Sequence, residues 1–291
     1  MNSSSIFKIT KNPEIEIQNA KVNSNIFQEP VSFSSGVFDQ LQYKTNFNLI
    51  TTLGIRYDYT KLDTLDSFNA FSPKLGLNYR LSDRTVLRGS VGFGFRAPSL
   101  AEVFTTTNVN GIRVKPNPKL KSESNWSSEI GFSHRPNNFF EFDLALFHNE
   151  FYDMIEPGFD SRDGQIFFSN LVRARIQGLE MNNEVNLIQD IVTLKFNYTY
   201  LWGRNLETNK ALKYRPRHMT NSSINFSYAD FSTNLIFRYW SRIEEIDDEL
   251  ISFGLVKDGD ERVEVYLVDL NINYSLLQFG LPVRASFNIN N

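Results

Sequence analysis

Two sets of side chains in this 291-residue chain are suited to chemistry. Arg113, Tyr152, Arg162, Trp202 and Arg204 put cations and rings into segments expected to be long loops, alongside Phe104, Lys115, Phe159, Phe168, Tyr214 and Arg242. Such a vestibule suits an anionic metal chelate or another bulky solute, although ordinary loop composition accounts for the same residues. Arg88, Arg96, Glu129, Glu180 and Lys195 fall on the polar faces of alternating segments. There they either pair with one another along a wall or meet a solute or an inserted domain. The three histidines, His134, His148 and His218, are not at metal-ligand spacing. The acidic stretch Glu244, Glu245 and Asp247 to Glu249 lacks the Asp/Asn/Gly spacing of a calcium loop. Gly92-Phe93-Gly94 is followed by no helix and reads as strand positions where an inner wall needs room, not as a phosphate cradle. No nucleophile-base arrangement or paired acids in a cleft can be identified. No catalytic residue, metal or cofactor is expected, and the chain is not expected to be an enzyme.

The elements that carry these residues are strands. Leu87, Val91, Phe93 and Phe95 alternate with Arg88, Ser90, Gly92 and Gly94. Trp126, Ile130 and Phe132 alternate with Ser127, Glu129 and Gly131. Similar alternation puts Phe47, Leu49, Leu53, Ile55, Tyr57 and Tyr59 against Asn48, Thr52, Gly54, Arg56 and Asp58. It also puts Leu194, Phe196 and Tyr198 against Lys195 and Asn197, and Val268, Leu270 and Ile272 against Asp269 and Asn271. A period of two with one oily and one polar face describes a sheet between two media. The polar faces are too charged for a dry sandwich core, where each unpaired ion costs several kcal/mol. A wet lumen tolerates them.

Twelve strands follow from this pattern, near 33–43, 47–59, 72–80, 85–95, 125–134, 139–150, 172–186, 191–201, 220–228, 231–241, 263–275 and 282–290. Most approach the roughly 9–11 residues that a tilted membrane-crossing strand requires. Short connections alternate with long ones at 60–71, 96–124, 151–171, 202–219 and 242–262. An up-and-down barrel with tight turns at one rim does this, whereas a Greek-key sandwich has no reason to. Tyr57, Tyr59, Tyr198, Tyr200, Trp202, Tyr239 and Trp240 toward the long-loop rim, and Tyr79, Tyr228 and Tyr274 toward the other, suggest two girdles at membrane interfaces. The expected fold is therefore all-β, an antiparallel up-and-down transmembrane barrel of which about twelve strands are present. Residues 1–30 are an ambiguous segment with one or two possible strands, and 31–291 form the barrel portion.

Composition limits the alternatives. No run nears the roughly 18–20 apolar residues of a spanning helix. Cysteine is absent, so no disulfide framework or thiolate site exists. A net charge of −3 gives no reason to expect a nucleic-acid partner.

The run GFGFRAPSLAEVF followed by NPKLKSESNWSSEIGF (Gly92 to Phe132) resembles the barrel domain of TonB-dependent outer-membrane receptors. NLVRARIQGLE (Asn170 to Glu180), YRPRH (Tyr214 to His218) and the closing FNINN fit the same family in the same order. The resemblance implies integral placement in a bacterial outer membrane, in contact with its lipid. It implies an extracellular small-molecule or metal-chelate ligand, a ferric siderophore, cobalamin or similar. It further implies uptake energised by a TonB complex acting on an N-terminal plug, toward which the lumen charges would point. No segment here could supply that plug, and no signal peptide is visible at the start. The chain is thus expected to be a fragment lacking leader, plug and final strand. A passive porin-like channel and a soluble β-rich binding or adhesion protein are the alternatives.

Overall fold

The computed structural model describes residues 8–11, 14–21, 30–63, 65–109, 112–160, 164–188, 191–246 and 262–291. The strands are β1 (Lys8–Lys11), β2 (Glu14–Lys21), β3 (Val31–Lys44), β4 (Leu49–Leu62), β5 (Ser67–Ser82), β6 (Thr85–Arg96), β7 (Thr107–Val109) and β8 (Ile112–Val114). They continue as β9 (Glu123–His134), β10 (Phe140–Asp160), β11 (Gln165–Ile188), β12 (Val192–Asn205), β13 (His218–Tyr228), β14 (Phe231–Trp240), β15 (Val265–Ser275) and β16 (Arg284–Ile289). One helix, α1 (Leu100–Phe104), lies between β6 and β7.

All the strands belong to one sheet, and from β3 to β16 wall neighbours are chain neighbours, paired antiparallel. β1 and β2 both pair with β3, so part of the ambiguous N-terminal segment joins the wall. β7 and β8 sit off this path as a small hairpin in the connection after β6. Each of the twelve expected strands has a counterpart here.

Register lines up the alternating faces. Leu41, Leu53, Leu75 and Val91 face one another across β3 to β6, and the next row holds Gln40, Gly54, Lys74 and Gly92. The apolar row has nothing over it: Leu53 is 50% exposed, and farther round Ile130 is 71% and Phe196 42% exposed. So many large apolar side chains on one uncovered face are incompatible with water as the medium outside and suit lipid. On the opposite face Asp269 is only 6% exposed and bound by Arg238. A sealed two-layer core would have reversed these exposures.

Two expected long loops are instead strand. The 60–71 segment is taken up by β4 and β5, paired as far as Lys61 and Ser67, and the 151–171 segment continues β10 and β11 until Asp160 faces Gln165. Pro157 and Gly158 read as breakers, yet Pro157 pairs with Phe168. β9 ends opposite Tyr152, so beyond that point β10 has a free edge, where a missing N–H costs little. At about 3.3 Å per residue, the 21-residue β10 and 24-residue β11 far exceed the roughly 9–11 residues needed to cross. Their hairpin projects well past the bilayer.

Candidate functional site at the long-loop rim

The connection from β6 to β9, expected as a polar loop, is a folded cap. Leu100, Val103 and Leu120 from it pack with Leu62 and Ile155 of the wall into the buried core cluster, flanked by Leu65, Phe68, Phe104 and Phe168. Leu62 and Phe68 share the face of Arg56 and Asp58, so the cap lies on the inner side of the wall.

Hydrogen-bonding side chains hold it there. Arg96, at the end of β6, binds Glu123 at the start of β9 (Nη2–Oε1 2.6 Å) and Glu102 of α1 (Nη1–Oε2 2.8 Å). Glu102 also accepts from the Ser99 backbone N–H, while the Ser99 hydroxyl accepts from the Glu102 N–H, closing a capping box at the start of α1. Glu123 accepts from the backbone N–H of Ile155 at 2.5 Å, tying β9 to the extended part of β10. Burial pushes the Glu102 carboxyl up, but the Arg96 guanidinium and the Ser99 donors outweigh it and hold the group below its ordinary range. Farther along, Asn117 donates to the Phe168 carbonyl (2.8 Å). Asn170 accepts from the Lys121 N–H (2.9 Å) and donates to the Lys121 carbonyl (3.1 Å). β8 adds a parallel pairing onto β11, Arg113 opposite Gln165. A hollow of ≈ 680 Å³ lies beside the cap, lined by Phe68, Lys119, Lys121 and Asp153 among others.

Below the cap, the inner wall is an ionic ladder. Arg88 spans three strands, meeting Glu129 (Nε–Oε1 3.0 Å), Asp143 (Nη1–Oδ2 2.6 Å) and Ser133 (2.9 Å). Its guanidinium lies across Gly131, where an added Cβ would stand 2.4 Å from Arg88 Cζ. Gly94 makes room for Asn125 in the same way. Lys195 pairs with Glu184 at 3.1 Å, and Glu180 is exposed between Ala145 and Thr199.

The expected ligand positions separate. Arg113 is exposed on the cap. Tyr152 belongs to β10, and Trp202 and Arg204 to β12; they are strand, not loop, because both strands run beyond the bilayer. All three share the outward face of Leu146 and Phe196. Arg162 lies outside the described residues. Trp240, expected in the outer girdle, alternates onto the inner face with Arg238. Among the described residues no group of His, Asp and Glu is arranged to hold a metal ion.

Around Tyr152 and Trp202 the outward face carries charge. Glu150, 1% exposed, accepts from Arg175 Nε at 2.8 Å and from Arg173 Nη2. Trp126 lies against His148 with the rings tilted by 34° (4.8 Å between ring centres), the Arg173 guanidinium lies over Tyr152 (5.4 Å) and that of Arg204 over Trp202 (5.3 Å).

A family profile for "TonB dependent receptor-like, beta-barrel" matches residues 6–291. The chain is 23% identical over 286 residues to an iron-regulated outer membrane virulence protein of Vibrio cholerae, covering 92% of this chain and 42% of that protein. It is 27% identical over 207 residues to a vitamin B12 transporter of Vibrio vulnificus, covering 70% and 30%. The chain therefore spans less than half the length of these curated relatives. In fold it is similar to a ferric enterobactin receptor of Pseudomonas aeruginosa solved with enterobactin, at TM-score 0.69 and 18% identity, covering 94% of this chain and 45% of that one. The exposed apolar face is a lipid face, and the wall is integral to the outer membrane. This chain belongs to the family of TonB-dependent receptor-like β-barrels.

Proposed function

We propose that this chain supplies wall and outer rim to a receptor that captures a scarce solute, a ferric siderophore, cobalamin or a similar compound, and takes it up with energy delivered through TonB. The observation that carries this reading is the cap. Residues 97–109 and 112–122 lie on the inner side of the wall as a fixed surface, fastened by Arg96, Glu102, Glu123 and Asn170. A receptor needs such an ordered surface, because a loop already fixed spares the ordering cost of binding. We assign the solute contact on this cap to the exposed Arg113, beside a hollow where Lys119 and Lys121 are balanced by Asp66 and Asp153. The ladder of Arg88, Glu129, Glu180 and Lys195 then faces a plug through which the TonB complex acts. Relatives named as a vitamin B12 transporter and a ferric enterobactin receptor support the solute class. No catalytic role is proposed, in keeping with a family of receptors and transporters.

The test is uptake of radiolabelled ferric siderophores and cobalamin by cells with and without the intact gene. Saturable uptake that stops with an uncoupler or on loss of TonB, and falls at least tenfold in Arg113→Glu, is the expected result. Non-saturating entry indifferent to energy would instead identify a passive channel.

A further inference from the structure

The charged cluster on the outward face has no lumen to serve. Leu146 and Phe196, on the same face, are turned to lipid. Glu150 stands opposite Arg175, and Arg175 directly opposite Arg204. Two like charges facing each other across strands repel unless an anion compensates them. Glu150 does so only in part. Its two oxygens take one edge each of Arg173 and Arg175. Among the described residues both Nη atoms of Arg175, and Nε and Nη1 of Arg173, have no hydrogen-bond partner. The ionic contact of Arg204 is a long 3.6 Å to Glu244, which Arg217 holds more closely at 2.5 Å. On the outward face three guanidiniums, Arg173, Arg175 and Arg204, thus share one buried carboxylate, Glu150, with Glu244 no nearer to Arg204 than 3.6 Å.

Its height in the membrane is marked by rings. Trp126, Tyr152 and Trp202 touch the cluster, and Tyr and Trp gather where headgroups meet acyl chains. A guanidinium presents two parallel donors that match a phosphate's oxygens. We infer that Arg173, Arg175 and Arg204, neutralised only in part by buried Glu150, seat the phosphate of an anionic lipid headgroup in the outer leaflet. A lipid, rather than a soluble anion, fits because acyl chains descending from that seat run along Leu146 and Phe196. The inference rests on the outer-membrane placement alone and is independent of which solute is taken up.

The protein extracted from outer membranes in mild detergent provides the test. Its Tm is measured in zwitterionic micelles, in the same micelles doped with phosphatidylglycerol, and with inorganic phosphate. Wild type should gain stability from phosphatidylglycerol alone. Arg173→Gln with Arg204→Gln, which leaves Arg175 on Glu150, should lose most of that gain and retain at least tenfold less phosphatidylglycerol in native mass spectrometry. Glu150→Gln removes the carboxylate that competes with phosphate for these guanidiniums and keeps every cation, so it should retain at least as much lipid as wild type. This opposite direction separates headgroup binding from a structural role even if the double variant folds poorly. An equal gain from inorganic phosphate, undiminished lipid retention in the double variant, or loss of lipid in Glu150→Gln would each overturn the inference.

Discussion

The cap between β6 and β9 and the wall beneath it treat apolar side chains in opposite ways. Leu100, Val103 and Leu120 are shut away from solvent, as in any water-soluble domain. Leu53, Ile130, Phe196 and Leu235 stand on the wall's outer face with nothing over them. Yet both regions come from one continuous sheet and its connection. The difference teaches that burial here is a property of the medium: lipid takes the place of a second layer for the wall, and the projecting rim must build its own core.

The comparison breaks most sharply at a charge placed in each region. Val103→Asp puts an unpaired carboxylate where no surface is exposed, and should abolish the cap's packing at a cost of several kcal/mol. Limited proteolysis should then cut within 97–122 while the wall stays resistant. Leu120→Ala should act in the same direction at about 2–5 kcal/mol. On the wall, Ile224→Arg on the lipid face should cost about 2–4 kcal/mol in refolding titrations, whereas Asn221→Arg, three residues away on the lumen face of β13, should cost close to nothing.

Glycines give a smaller contrast between the two faces. Gly131→Ala pushes a methyl into the Arg88 guanidinium and should cost about 1 kcal/mol through the loosened contacts to Glu129 and Asp143. Gly89→Ala, on the outer face with its nearest neighbour 3.8 Å away, should be neutral or slightly stabilising. The smallest effect is that of pH on the cap. Because Glu102 is held below its ordinary range, its contribution is complete above about pH 4.3, the usual glutamate value, and fades as pH falls through the lower folded value. Hydrogen exchange across 97–104 should rise over that acidic interval, and Glu102→Gln should remove the dependence.

The wall was legible because alternation survives in strands such as β3 to β6 and β15. Rows such as Leu41, Leu53, Leu75 and Val91 announce a face without any knowledge of their neighbours. The rim was less legible. Pro157 and Gly158 signal a loop in any sequence reading, and only the free edge of β10 makes them tolerable in a strand. The cap's clasp joins Arg96 to Glu102 and Glu123, and Asn170 to a backbone 49 residues away, so spacing could not reveal it. One local signal was present: Ser99 followed three residues later by Glu102 is a capping box ahead of Val103 and Phe104. Arg88 and Glu129 fall on one alternating face in the sequence, but their third partner, Asp143, needs the register of β9 on β10. Tyr152, Trp202 and Arg204 look like loop residues because strand near the headgroup level carries a polar composition close to that of a loop.

Since the chain contains no cysteine, single-cysteine variants along β12 offer a clean scan of the central claim. Nitroxide labels at residues 194 to 198, in the protein reconstituted into bilayers, can be read for collision with oxygen, which favours lipid, and with a water-soluble nickel chelate. Labels replacing Leu194, Phe196 and Tyr198 should report oxygen, and those replacing Lys195 and Asn197 should report nickel, in strict alternation. Nickel accessibility at Phe196, or no period of two, would contradict a wall with lipid on one side and water on the other.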